Sequence, residues 1–185
     1  GSGRVAGAVS GTSSAKLWRG RARVVEAMVL LAAGGFAQRR LPMVRWSWLL
    51  GQPTPAPREW RGRRIDELVS RAATPVEARV AGAVRQGSHR LPWEPTCLAQ
   101  AVAAQIMLRQ RREPGVVVIG LRQPPVASQS WEAHAWVLGG RGALTGGPAA
   151  SGFTATTVFE VPGGLSAESV QLPGMPSASR ADPAL

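Results

Sequence analysis

The sequence predicts an α+β fold in which a central helix packs on a small antiparallel sheet, with extra helices on the N-terminal side. Three observations predict it. Leu98 to Leu108 is apolar on nearly every side, as a helix buried at the centre of a domain is. The chain beyond it holds short β-branched runs separated by Gly and Pro, the pattern of strands and turns. The chain before it carries helix-forming stretches broken by prolines.

Taken in order, Val24 to Phe36 has helix-forming composition, and Pro42 ends or redirects it before a second apolar patch, Val44 to Leu50. Gly51-Gln52-Pro53-Thr54-Pro55-Ala56-Pro57 reads as turn and extended chain, because each proline biases its predecessor out of the helical region. Ile65 to Ala72 and Pro75 to Arg85 read as helices. The second has Thr74 to cap it, Pro75 in its first turn and Glu77 near the positive end of its dipole. Gly87 is its expected stop.

Two prolines in Leu91-Pro92-Trp93-Glu94-Pro95 force an extended approach to Thr96, the expected cap of the central helix. Arg109, Arg111 and Arg112 suit its C-terminal turn, and Glu113-Pro114-Gly115 stops it. Val116 to Ile119 is expected as a buried strand and Ala133 to Leu138 as a second. Gly139 to Gly142 has hairpin-turn composition, Ala143 to Thr145 starts the return strand, and Thr154 to Val161 forms another. The expected organisation is a helical region with a Pro-rich linker over 1–57, a domain over 58–161 with its core in 75–160, and a loose tail over 162–185.

Composition narrows the chemistry. The chain has 185 residues, 44% of them hydrophobic, which is enough for one domain with a real core. It carries 22 Lys+Arg against 11 Asp+Glu, and Lys16 is the only lysine. An Arg surplus of this size favours anionic partners, but the arginines are scattered and no nucleic-acid motif accompanies them, so no nucleic acid is expected. The single Cys97 excludes an internal disulfide, and with His89 and His134 as the only histidines no metal or other cofactor is expected. The apolar run Ala27 to Ala33 behind Arg19, Arg21 and Arg23 imitates a secretory signal, yet Glu26 abuts it and it is far shorter than a membrane span. Cytoplasmic residence without a membrane span is the expectation.

Cys97 opens the central helix, where free amides and the helix dipole favour a thiolate and can donate to an oxyanion. On position alone it is either a nucleophile or a small buried hydrophobe. His134 lies on the second strand, sharing a face with Trp136 and Leu138, while Ala133, Ala135 and Val137 take the other face. It reads either as a base for Cys97 or as a satisfied core imidazole. His89, between Ser88 and Arg90, reads as a capping histidine at a helix end.

Leu91-Pro92-Trp93, Cys97-Leu98 opening an apolar helix that ends in arginines, Val118-Ile119-Gly120, and Ala133-His134-Ala135-Trp136-Val137 together resemble the leader peptidases of lasso peptide biosynthesis. That family is a transglutaminase-like branch of the papain-like cysteine hydrolases, and the similarity covers roughly residues 75–160. The resemblance implies a cysteine peptidase with Cys97 as nucleophile and His134 as base. It further implies three partners: the leader of a precursor peptide, a separate leader-binding recognition protein and an ATP-dependent cyclase. The sequence departs from the family pattern where an Asp is expected after the histidine, since Ala143-Leu144-Thr145-Gly146-Gly147 holds no carboxylate, and Leu138 replaces another acidic residue. Thr145 or a backbone carbonyl, a carboxylate from Glu132, Glu94 or Glu160, or a dyad without a third group are the alternatives. A silent scaffold of the same fold and a basic nucleic-acid-binding protein are the competing functions.

Overall fold

The computed structural model describes residues 10–60, 74–123, 130–139, 142–146 and 152–161. Three helices and five strands build it: α1 (Ser10–Arg40), β1 (Gln52–Pro55), α2 (Pro75–Arg90), α3 (Cys97–Gln110), β2 (Gly115–Arg122), β3 (Glu132–Gly139), β4 (Gly142–Thr145) and β5 (Thr154–Glu160). The expected helix over Ile65 to Ala72 and the tail from Pro162 lie outside the described residues.

The caps are made as the sequence predicts. Thr74 accepts from the amide of Glu77 while the Glu77 carboxylate accepts from the amide of Thr74 at 2.6 Å, a reciprocal capping box that starts α2 with Pro75 in its first turn. Thr96 accepts from the amide of Ala99 at 3.1 Å and so starts α3 at Cys97. Gly87 does not stop α2. The helix continues to Arg90, and Gly87 is buried against Ala27 and Leu31 of α1, where the missing side chain permits close approach. α1 is also longer than its apolar stretch, because the Ala, Arg, Lys and Leu residues before Val24 are good helix formers that extend the helix beyond the part that packs.

All strand pairs are antiparallel and the sheet order is β1-β5-β2-β3-β4. β1 was expected only as extended chain. It is an edge strand paired with β5, and its two prolines, Pro53 and Pro55, share one parity, so neither removes a donor from the ladder. The sheet has two buried faces. Val117, Ala135, Val137, Leu144 and Phe159 join the helices in one core that includes Val24, Ala27 and Leu31 of α1 and Val102 and Met107 of α3. Val116, Val118, Trp136, Leu138, Phe153 and Val158 form a second core with Ala56 and Trp60. The alternation predicted for β3 is therefore observed, with Trp136 and Leu138 on one side and Ala135 and Val137 on the other.

Polar groups lock α3 between its neighbours. The Thr96 hydroxyl donates to Gln38 Oε1 of α1 at 2.8 Å, and Gly34 of α1 lies against Ala99. At the other end Arg111 grips Glu26 of α1 through both guanidinium nitrogens, at 3.0 and 2.7 Å. Fully buried Gln105 donates to the carbonyls of Gly115 and Leu50, fixing the start of β2. α1 therefore has an inward face that is part of the core and an outward face that is not. Leu31→Ala is expected to cost about 2–5 kcal/mol in urea denaturation, as a fully buried leucine should. Val29→Ala, two residues away on the exposed face, should change stability by less than about 0.5 kcal/mol.

Candidate active site

The site forms where β4 ends. β4 pairs with β3 only over Val137 to Gly139, so at His134 and Ala135 that edge of β3 is open, and the first turn of α3 comes up against it. The Cys97 thiol faces the His134 imidazole and the backbone amides of Ala135 and Leu98, near enough that each lowers its pKa. The two residues singled out from the sequence, 37 positions apart, are thus brought together at one place in the fold.

His134 is held from three sides. Its Nε2 lies 3.1 Å from the carbonyl oxygen of Gly146. Because a carbonyl only accepts, Nε2 carries the proton in the neutral ring and Nδ1 is left as the nitrogen with a free lone pair, suited to take the thiol proton. The ring also stacks over Trp136, with centroids 6.0 Å apart, and packs at a tilt on Phe153 at 5.2 Å. Two glycines make room for this. Gly120, on β2, stands where any Cβ would come within 2.6 Å of Trp136 Cη2. Gly146 has φ of 72°, a left-handed conformation, and a Cβ there would sit 2.9 Å from His134 Nε2. A side chain at 146 would be strained and would displace the imidazole.

The two titrations are coupled. For Cys97, burial pushes the thiol up, but the hydrogen bond to His134, the Ala135 amide, the charge on His134 and the Leu98 amide outweigh it, and the net shift is downward. For His134, the hydrogen bond to Cys97 comes first and raises it; burial opposes, the Gly146 carbonyl and the thiolate charge add to the rise, and the cation of Arg122 subtracts a little. Each partner favours the charged form of the other, so the two groups titrate as a linked pair.

The remaining candidates sit elsewhere. The Glu132 carboxylate is exposed and forms an ion pair with Arg122 on β2, whose guanidinium lies over the Phe153 ring at 4.5 Å. Thr145 is buried, and its hydroxyl finds no hydrogen-bond partner among the described residues. The group that meets Nε2 is a backbone carbonyl, one of the alternatives open in the sequence. Glu160 is on β5 opposite Gln52. His89 and Glu94 line a groove of about 470 Å³ with Arg85, Ser88, Trp93 and Gln100. Gln100 lies one helical turn beyond Cys97 and donates to the Pro95 carbonyl at 3.1 Å, so the groove reaches the base of the helix that carries the thiol. Sequence reading missed Phe153 and the amide of Ala135; neither belongs to a residue type that announces chemistry. Among the described residues, no three His, Cys, Asp or Glu side chains are grouped to hold a metal, and no helix is long and apolar enough to cross a membrane.

Comparison with known proteins agrees with this geometry at the level of the fold. A model of the transglutaminase-like superfamily matches residues 27–158, from within α1 to within β5. No curated protein and no solved structure matches.

Alkylation of Cys97 by iodoacetamide, followed against pH, should titrate below the range of an unperturbed thiol. His134→Ala should move that inflection upward and slow alkylation at neutral pH, since burial then acts with less opposition. The linkage has a definite sign. Stability from the raised His134 is fully present below its unfolded value of ~6.5 and is lost as pH rises through the folded value. Stability from the lowered Cys97 is present above ~8.5 and is lost as pH falls through its folded value.

Proposed function

Because the chain belongs to the transglutaminase-like superfamily, which includes cysteine peptidases, we propose that it is a cysteine peptidase that removes the leader from a lasso peptide precursor. The observation that carries the chemistry is the contact between Cys97 and an imidazole whose far nitrogen is anchored on the Gly146 carbonyl. The leader specificity rests on the resemblance of the Leu91-Pro92-Trp93, Cys97-Leu98 and Ala133 to Val137 blocks.

In this reading Nδ1 of His134 takes the thiol proton and the Cys97 sulfur attacks the scissile carbonyl carbon, moving its electron pair onto oxygen. The first turn of a helix holds amides with no intrahelical acceptor. Thr96 takes that of Ala99, and the amides of Cys97 and Leu98 are placed to stabilise the oxyanion and the thiolate. Collapse of the intermediate breaks the C–N bond as the imidazolium gives its proton to the leaving amine, which departs as the free N-terminus of the core peptide. Water, deprotonated by His134, then hydrolyses the thioester and releases the leader with a C-terminal carboxylate. The freed amine is the nucleophile an ATP-dependent cyclase needs to close a macrolactam, and the leader would be delivered by a separate recognition protein. No nucleic acid takes part, and the reaction is placed in the cytoplasm.

Gly146 replaces the acid of the usual triad with a neutral acceptor. A hydrogen bond from a charged donor contributes about 1.5–3 kcal/mol, enough to hold the ring in one tautomer and orientation. A thiol is acidic enough to manage without a carboxylate partner on the base. The groove between Arg85, Trp93 and Gln100 is the proposed seat of the peptide chain on one side of the scissile bond.

The reading is tested by incubating the protein with a precursor and its recognition protein and following leader release by mass spectrometry. Release is expected with the wild type and none with Cys97→Ala; undiminished release by Cys97→Ala would mean a scaffold whose chemistry lies in another protein. Gly146→Ala should lower kcat by about 100-fold or more through displacement of the base. Glu132→Gln and Thr145→Ala should stay within about tenfold, because neither side chain meets the imidazole. Trp93→Ala should raise KM while leaving iodoacetamide reactivity of Cys97 unchanged, the signature of lost substrate binding with the dyad intact.

A further inference from the structure

The outward face of α1 carries an ordered set of apolar side chains that neither the core nor the site uses. Trp18, Val25, Val29 and Phe36 are 70, 58, 62 and 59% exposed. With Ala22 and Ala32 they follow the spacing 4-3-4-3-4, which brings all six within a stripe about 80° wide. The stripe runs 18 residues, about 27 Å along the helix. Scattered exposed hydrophobics are ordinary on a protein surface; a single-file row of this length is not.

The frame of the stripe is cationic. Arg19 and Arg21 are exposed at one end, and Arg39 and Arg40 at the other, with the Arg40 guanidinium 5.9 Å from the Phe36 ring centroid. The helix has one carboxylate, Glu26, and both of its oxygens are engaged by Arg111. A second copy laid on this stripe would set arginine against arginine in either orientation, parallel or antiparallel. Apart from Leu17, which is exposed beside Trp18, the stripe is narrow with alanines between the large side chains, which suits the close approach of another helix better than the broad apolar face of a helix lying in a lipid surface.

We infer that the outward face of α1 is a docking surface for an acidic amphipathic helix of another protein, whose apolar seam covers Trp18, Val25, Val29 and Phe36 and whose carboxylates meet the arginines at both ends. This inference is independent of the peptidase reading, because the stripe lies on the face of α1 turned away from α3.

The test uses the full-length protein and two fluorescent synthetic helical peptides of four heptads. Both carry Leu and Ile on the seam; one has Glu and the other Lys at the flanking positions. By fluorescence anisotropy the Glu peptide is expected to bind saturably and at least about tenfold more tightly than the Lys peptide, with the preference shrinking as salt rises. Val25→Glu/Val29→Glu should weaken the Glu peptide by about tenfold or more. That variant replaces only exposed side chains, and unchanged circular dichroism and Cys97 alkylation will show that fold and site are intact. Equal binding of the two peptides, or undiminished binding by the variant, overturns the inference. So does sedimentation with phosphatidylglycerol vesicles that the same double substitution abolishes while peptide binding is weak, which would make the stripe a lipid contact. A dimer that the substitution dissociates would also overturn it. Loss of peptidase activity with intact peptide binding, or the reverse, separates this result from that for the catalytic site.

Discussion

The meeting of the first turn of α3 with the open edge of β3 is the constraint on which the rest of the structure depends. A thiol at a helix start has a modest electrostatic advantage, and a histidine on a strand has none; each shifts the titration of the other because the fold brings the two together. That placement is fixed from several directions at once. Gln38 receives the hydroxyl proton of the capping Thr96, Gly34 lets α1 close on Ala99, and Glu26 holds the far end of α3 through Arg111. On the sheet side, β4 must be short. Had its pairing with β3 run two residues further, the Ala135 amide would be committed to the ladder and unavailable to the sulfur.

Gly146 extends the same economy of parts. Its left-handed backbone turns the chain out of β4 and aims a carbonyl at Nε2, so one residue both ends the strand and orients the His134 ring. The carboxylate closest in sequence, Glu132, instead forms an ion pair with Arg122, and that pair stands behind Phe153 on the far side of the imidazole. The ring is therefore positioned by one hydrogen bond to a neutral acceptor and two aromatic surfaces rather than by a second charge. This arrangement favours the imidazolium less strongly than a carboxylate would, and the thiolate itself supplies the principal counter-charge.

What could be read from the sequence was what side chains encode locally. The apolar α3, the caps at Thr74 and Thr96, the β-branched β2 and the alternation along β3 all follow from residue type and period, and so did the pairing of Cys97 with His134 once the resemblance brought the blocks together. The illegible features depend on main chain or on distant partners. β1 is a strand only because β5, over a hundred residues later, pairs with it, and its prolines argue locally against that state. Gly87 reads as a stop until α1 is laid across it. A backbone carbonyl such as that of Gly146 leaves no mark in the residue code, since every residue has one.

The two cores of the sheet have a consequence for how the reactive thiol comes into being. Cys97 packs with the core shared by the helices, whereas His134 rests on Trp136 and Phe153 of the opposite core. Neither core alone assembles the pair. A change that loosens either core therefore bears on the pair, from the sulfur side or from the imidazole side.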